Sequence, residues 1–195
     1  MRKALLVFWL KGYEGASLSD IEGATGVART SLYNVFGNKE GLFYAALERY
    51  IEATKRLYEK YLKKEDIESL EKLIDAYARS EKLGDVGSWG CLMLNTITAA
   101  DGVSPEAHRM IEAFRTYAIQ KIETVLKAAH SNGEIVDSSI NCHAWTEFIL
   151  VTMWGAKAAI RHAGNTRAAL PVANTLSQIL RGLRTAQRIA TIEKV

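Results

Sequence analysis

The chain has 195 residues, with 25 basic against 22 acidic side chains, a net charge of +3 and 48% hydrophobic residues, enough to bury the core of one or two domains. That surplus is too small to argue nucleic-acid binding from charge alone, and it is uneven: +1 over residues 1–50, −2 over 51–164 and +4 over 165–195. No run approaches the roughly 18 consecutive apolar residues of a membrane helix, and no small-residue cleavage site follows MRKALLVFWL. The expected location is the cytoplasm, with no membrane partner.

Two prolines, Pro105 and Pro171, and few alternating runs predict long helices throughout. Leu5, Leu6, Phe8 and Trp9 supply apolar residues for a first helix ahead of Gly12. Ser17 precedes the periodic set Leu18, Ile21 and Ala24, with Asp20 three positions on, a near match to a capping box. A second helix is therefore predicted from Leu18. Gly26 suits the left-handed residue that ends it, and a turn of about three residues follows. A short third helix then turns Val27, Leu32 and Phe36 inward and leaves Arg29, Thr30, Ser31, Tyr33 and Asn34 outward. Asn38 caps a long fourth helix from Lys39 to Leu62, carrying Phe43, Leu47, Tyr50, Ile51, Leu57, Tyr58 and Tyr61. A helix, a glycine turn and a second helix with a hydrogen-bonding outer face form the layout of a helix-turn-helix, in which arginine pairs with guanine, asparagine with adenine, and hydroxyls with bases or phosphates.

Further helices are expected over Glu65 to Glu81, Ser88 to Ala100, Pro105 to His130, Ser139 to Ala163 and Thr166 to Ile192. Their breaks fall at Gly84 to Gly87, Asp101 to Pro105, Ser131 to Ile135 and near Gly164. Ser104 caps a helix whose first residue is Pro105, a favoured place for proline.

The strings GYEGASLSDI, GV, SLYNVF and NKEGLF, from about Lys11 to Tyr50, closely resemble the DNA-binding domain of the TetR family of transcriptional repressors. The remainder agrees in length and helical pattern. The resemblance implies an all-α homodimer: an N-terminal three-helix helix-turn-helix DNA-binding domain, placed at 1–45, and a C-terminal helical ligand-binding and dimerisation domain at 46–195. Its partners would be double-stranded operator DNA, a second copy of the chain and a small-molecule inducer, apolar or aromatic with a few polar handles. Neither cofactor nor enzymatic activity is implied. The candidate DNA-binding residues are Ser17, Leu18, Arg29, Thr30, Ser31, Tyr33, Asn34 and Lys39. Lys39, Tyr33, backbone amides at helix starts, and Arg2 and Lys3 are the expected phosphate contacts. The family usually carries a longer first helix with basic residues ahead of it, and this chain departs from that pattern.

In the last two helices, Gly155, Ala156, Ala158, Ala159 and Ala163 are small enough for a partner helix to approach. Leu176, Ile179, Leu180 and Leu183 form an apolar stripe. Gly155, Ala159 and the four stripe residues are the candidate dimer interface, set against packing of the stripe inside the monomer. Arg181, Arg184 and Arg188 share one face and read as a solvated or salt-bridging surface. For the inducer pocket, helix spacing puts Cys91, Asn95 and Thr98 on one broad face, with Tyr77, Phe114, Tyr117, Trp145, Phe148 and Met153 as candidate walls. The alternatives are core polar residues bonded to carbonyls, and aromatics that are plain core.

Cys91 and Cys142 are expected as reduced thiols, with Cys91 a minor candidate for sensing electrophiles or oxidants. Cys142 and His143 point about 100° apart on a helix, and His108, His130 and His162 have no ligand spacing, so no metal site is expected. Three functions remain open to the sequence: an inducer-released repressor; a constitutive DNA-binding dimer whose C-terminal domain only dimerises or docks a protein; and a helical-bundle enzyme or carrier.

Overall fold

The computed structural model describes residues 1–79, 86–99, 104–137 and 139–192, with side chains as far as residue 184. Among them the chain is all-α, with no strand. The first four helices are α1 (Arg2–Gly15), α2 (Leu18–Thr25), α3 (Arg29–Phe36) and α4 (Lys39–Tyr61). Five more form the body: α5 (Ile67–Ala78), α6 (Leu92–Ile97), α7 (Pro105–Ser131), α8 (Cys142–Ala163) and α9 (Leu170–Ile192).

The long helix α4 belongs to both halves. Near its start Leu42, Phe43, Ala46 and Leu47 bury against α1 and α3; farther on Ile51 and Tyr58 bury against the body. A single apolar cluster therefore runs from Phe8 and Ile21 through Leu47 to Leu73, Ile111, Ile122 and Leu180. α1 breaks at Gly12, whose φ of 74° and ψ of 176° leave the helical region. The break lets Tyr13 swing onto Phe43, with ring centroids 5.1 Å apart, while Phe8 meets the same ring edge-on at 5.2 Å. On the other side of α1, Trp9 packs edge-on against Tyr50 of α4 and Trp89 of the body, and Arg161 of α8 donates to the Leu10 carbonyl at 3.1 Å.

Several boundaries differ from the sequence expectation for local reasons. α5 starts at Ile67 because Glu65 adopts a left-handed φ of 51° and the Asp66 side chain accepts from Ser69 N–H at 2.7 Å. The helix expected over Ser88 to Ala100 is cut down to Leu92–Ile97, preceded by a 3₁₀ turn at 86–89. Gly90 separates the two with a φ of 77°, and it presses so close to α8 that an added Cβ would lie 3.0 Å from the Lys157 carbonyl oxygen. α8 starts at Cys142, capped by Asn141, and a 3₁₀ turn over Thr166–Ala169 precedes α9. Val27, expected inward, is 40% exposed because it lies in the turn before α3. Glu81, the Gly84 end of the break expected at Gly84 to Gly87, Ala100 and the Asp101 end of the following break lie outside the described residues.

Candidate nucleic-acid interface and internal cavity

The head is built from capping chemistry. Ser17 Oγ accepts from Asp20 N–H at 3.1 Å, and Asp20 Oδ2 accepts from Ser17 N–H at 3.0 Å, closing the capping box. Lys11 Nζ lies 2.6 Å from the other Asp20 oxygen. That ion pair, with the Ser17 bonds, holds the Asp20 carboxyl down to about 2. Gly26 ends α2 with a left-handed φ of 71°, and its N–H donates to Glu22 O at 2.8 Å. α3 begins at Arg29 after Ala28, which has no side-chain acceptor to offer. The Glu22 carboxylate takes that place, accepting from Arg29 N–H at 2.5 Å. Glu22 was not singled out from sequence. Its signal is only that it lies seven residues before the N-terminus of an uncapped helix.

α3 buries Leu32 alone. Arg29, Thr30, Ser31 and Asn34 are exposed and Tyr33 is half-buried, so the five outward residues do share the open side of the helix. The Arg29 guanidinium stacks 5.0 Å over the Tyr33 ring, which organises both. Val35, beside Asn34, is 73% exposed and is a further outward residue that apolar patterning hides. Ser17 is exposed and Leu18 half-buried at the start of α2. Asn38 Oδ1 accepts from Gly41 N–H at 2.8 Å and starts α4. Lys39 Nζ sits 4.6 Å over the Tyr13 ring and donates to Glu14 O at 3.4 Å, so the break in α1 aims the lysine beside α3.

The body contains a cavity of about 980 Å³. Its walls come from Leu5 and Trp9 of α1, Tyr50 and Leu57 of α4, Tyr77 of α5, Lys157 of α8 and Ser177 of α9. Trp9 Nε1 and Glu71 Oε1, from two lining residues, are buried without a hydrogen-bond partner. A second cavity of about 470 Å³ lies between the end of α1, the start of α4, α6 and the start of α7. Tyr44 crosses this junction, bonding both Glu40 and, at 2.9 Å, the Ser104 hydroxyl that caps α7.

Of the nine residues expected to line a pocket, Tyr77 lines the large cavity and Asn95 the smaller one. Cys91 is buried close behind the large cavity, interacting with the Tyr50 and Tyr77 hydroxyls. The other six line neither. Thr98 is exposed and its hydroxyl donates to Leu94 O at 2.8 Å; Asn95 likewise has its amide on Trp89 O at 2.9 Å. Phe114 and Tyr117 turn to the far side of α4, where Phe114 meets Tyr58 edge-on at 5.8 Å. Trp145 packs on Phe148, which is 47% exposed on the outer face of α8. Met153 is buried core.

The expected dimer stripe also divides. Leu176 and Leu180 are 2% and 0% exposed within the chain's own core, which removes them from any partner interface. Ile179 is 39% exposed, Gly155 is exposed, and Ala159 and Leu183 are partly buried. Helix rotation explains the split, because i and i+4 share a side that i+3 flanks. Phe148, Val151 and Val172 join Ile179 as exposed apolar residues of α8 and α9. Arg181 pairs with Glu71 at 2.7 Å and Arg184 with Glu134 at 2.9 Å, a salt-bridging face as expected; the Arg188 side chain lies outside the described residues. Both cysteines are free thiols, and the described residues hold no cluster of three metal-ligating side chains. No helix among them is long and apolar enough to cross a membrane.

A capped helix-turn-helix on a helical body defines a class, the DNA-binding transcriptional regulators. The model for bacterial regulatory proteins of the tetR family matches residues 1–46, and the tetracyclin repressor-like C-terminal domain matches 67–176. The HTH-type transcriptional repressor ComR of Escherichia coli (strain K12) is 30% identical over 176 residues, spanning 89% of this chain and 83% of that protein. A TetR family regulator from Agrobacterium tumefaciens has the same fold, with a TM-score of 0.79 at 17% identity over 91% of this chain and 93% of that one. So has a cysteine mutant of the TetR family regulator CifR complexed with 26-bp double-strand operator DNA, at a TM-score of 0.73 and 24% identity over 90% of this chain and 92% of that one. The chain belongs to the TetR family of transcriptional repressors, a DNA-binding family and not an enzyme family.

Proposed function

We propose that the chain binds a palindromic operator as a homodimer and is released from it by a small apolar or aromatic inducer. The head at 1–45 reads DNA and the body at 46–195 holds the ligand. The observation that carries this reading is the large cavity, whose wall includes both α1 and α4, the helices on which α2 and α3 ride. A ligand seated against Leu5, Trp9, Tyr50 and Leu57 bears directly on the head's supports. Release then requires only that the ligand prefer the arrangement in which the two heads no longer match half-sites one helical turn, about 34 Å, apart. The exposed apolar set Phe148, Val151, Val172 and Ile179 supports pairing of α8 and α9 with a second copy. The cavity also weighs against a constitutive regulator, whose body has no need of one.

In the head, Arg29, Thr30, Ser31 and Asn34 face base edges, with Ser17, Leu18, Tyr33 and Lys39 on the phosphates flanking them. An electrophoretic shift on DNA upstream of the chain's own gene tests this. Arg29→Ala and Asn34→Ala are expected to change which operator variant is preferred, by about 1–3 kcal/mol per lost bidentate contact. Tyr33→Phe and Lys39→Ala are expected to weaken all operators alike. If the wild type shows no sequence preference at moderate salt, the reading fails.

A further inference from the structure

The large cavity has a graded lining. Its exposed rim carries Glu68, Lys72, Asp75, Arg79 and Arg181, with both signs of charge intermixed. Its most buried polar residues are Tyr77, Lys157 and Ser177, at 6, 7 and 9% exposure. Lys157 is the one ionisable acid or base in the buried class among the described residues, tyrosines and cysteines aside. Its Nζ lies 4.7 Å from the centroid of the Tyr77 ring. The inner end thus offers an ammonium and hydroxyls; of the described carboxylates of the lining, all on α5, Glu68 and Asp75 stand at the rim, and the inner one, Glu71, pairs with Arg181 at 2.7 Å. Trp9, in the same wall, buries its indole N–H with no acceptor. Glu71 Oε1 is buried there too, on a carboxylate whose other oxygen Arg181 holds, so Lys157 and Trp9 are the buried donors of the wall, and a hydrogen bond from a charged donor is strongest where water is scarce.

Resting on the reading of this cavity as the inducer site, we propose that the ligand is an organic acid, its apolar or aromatic body lying along Leu5, Trp9, Tyr50 and Leu57 and its carboxylate meeting Lys157, Tyr77 and Ser177. The body of such a ligand matches the apolar wall, and its head needs the ammonium in its charged form. Buried ionisable groups gather at functional sites. Burial holds the Lys157 ammonium down to about 8, partly offset by the neighbouring Cys91. Among the described residues, the other titratable groups around it are Tyr50 from α4, Tyr77 and the largely buried Glu71 from α5, Cys91 at the start of α6 and, toward the rim, Asp75, Arg79 and Arg181. Burial, with Cys91 beside them, raises the two tyrosines well above their ordinary value, so Lys157 loses its proton before either of them does. Acid binding should therefore be tight below about pH 8 and weaken above it.

The test is calorimetric titration of the full chain with 1-naphthoate and with 1-naphthylmethanol, which share a ring system and differ in the carboxylate. The wild type is expected to bind the acid at least about tenfold more tightly. That preference should shrink when the pH is raised from about 7 to about 9.5, past the Lys157 value. In Lys157→Met the acid is expected to fall to the affinity of the alcohol; Lys157→Gln is the second variant should the first fail to fold. Equal wild-type affinities overturn the acid assignment while leaving the cavity a ligand site. A preference that survives both variants moves the carboxylate to the rim cations and overturns the role of Lys157. Binding of neither probe overturns this proposal together with the inducer site beneath it.

Discussion

α3 and α8 both present a face to the outside, yet α3 buries one side chain, Leu32, along Arg29–Phe36, while α8 buries seven along Cys142–Ala163. With apolar burial contributing roughly 25 cal/mol per Å², α8 is held by its side and α3 is not. α3 is held at its ends. The Glu22 carboxylate caps its first amide, Gly37 turns the chain out of it with a φ of 80°, and Asn38 starts α4 at once. A helix whose surface is reserved for a partner must be positioned by its termini. The head is therefore sensitive at its junctions, and the body at its interior.

The largest expected effect is at the junction between α3 and α4. A Cβ at Gly41 would sit 2.1 Å from the Phe36 carbonyl oxygen, a backbone atom that cannot rotate aside. Gly41→Ala should destabilise the head by about 3 kcal/mol or more. Chemical denaturation should show it, together with loss of operator binding. Gly23→Ala is the matched control in the same head: nothing lies within 4 Å of its Cβ position. It should gain up to about 1 kcal/mol from helix propensity. If both alanines are tolerated equally, α3 is not fixed through that junction.

The body's counterpart is Lys157→Met, with a smaller effect of the opposite sign. The folded-state value of about 8 lies below the ordinary 10.5, so the unfolded chain binds more protons between those values. The burial penalty is fully present below about pH 8 and is relieved as the pH rises toward 10.5. Methionine should therefore stabilise the chain by roughly 1–3 kcal/mol near pH 7, with the gain fading through that window. Thermal melts of both proteins at several pH values measure it. A gain independent of pH would mean that packing, not charge, is responsible.

The same contrast explains what the sequence makes legible. Ser17, Gly26, Asn38 and Ser104 act on residues two to four positions away, and all four helix signals read from them are present in the structure. The cavity obeys no such local rule. Leu5, Tyr50, Tyr77, Lys157 and Ser177 meet only after five helices pack, and apart from Tyr77, expected as a pocket wall, periodicity marks each of them as ordinary core or surface. Cys91, Asn95 and Thr98 failed as a shared lining because Gly90 delays the helix and because Asn95 and Thr98 bond nearby carbonyls, the alternative the sequence had left open. In the stripe on α9, Leu176 and Leu180 differ from Ile179 by less than one helical turn. That rotation decides between core and interface, and only the packed neighbours fix it.

The smallest expected effect tests whether the start of α2 is positioned as the ends of α3 are. Ser17→Ala removes the acceptor for Asp20 N–H and the hydroxyl that donates to Asp20 Oδ2 at 2.7 Å, but leaves the Lys11 ion pair in place. The cost should be about 1 kcal/mol, the usual value of an N-cap. Because the Asp20 carboxyl is held down to about 2 by Lys11 first and Ser17 second, its contribution is present above its ordinary 3.8 and is lost as the pH falls through about 2. Ser17→Ala should raise that lower bound without abolishing it, while Lys11→Met should raise it further. Carbon-detected titration of the Asp20 carboxyl separates the two. A larger shift in Ser17→Ala than in Lys11→Met would mean that the capping box, more than the ion pair, sets the carboxylate, and would make the α2 start as dependent on its cap as α3 is on Glu22.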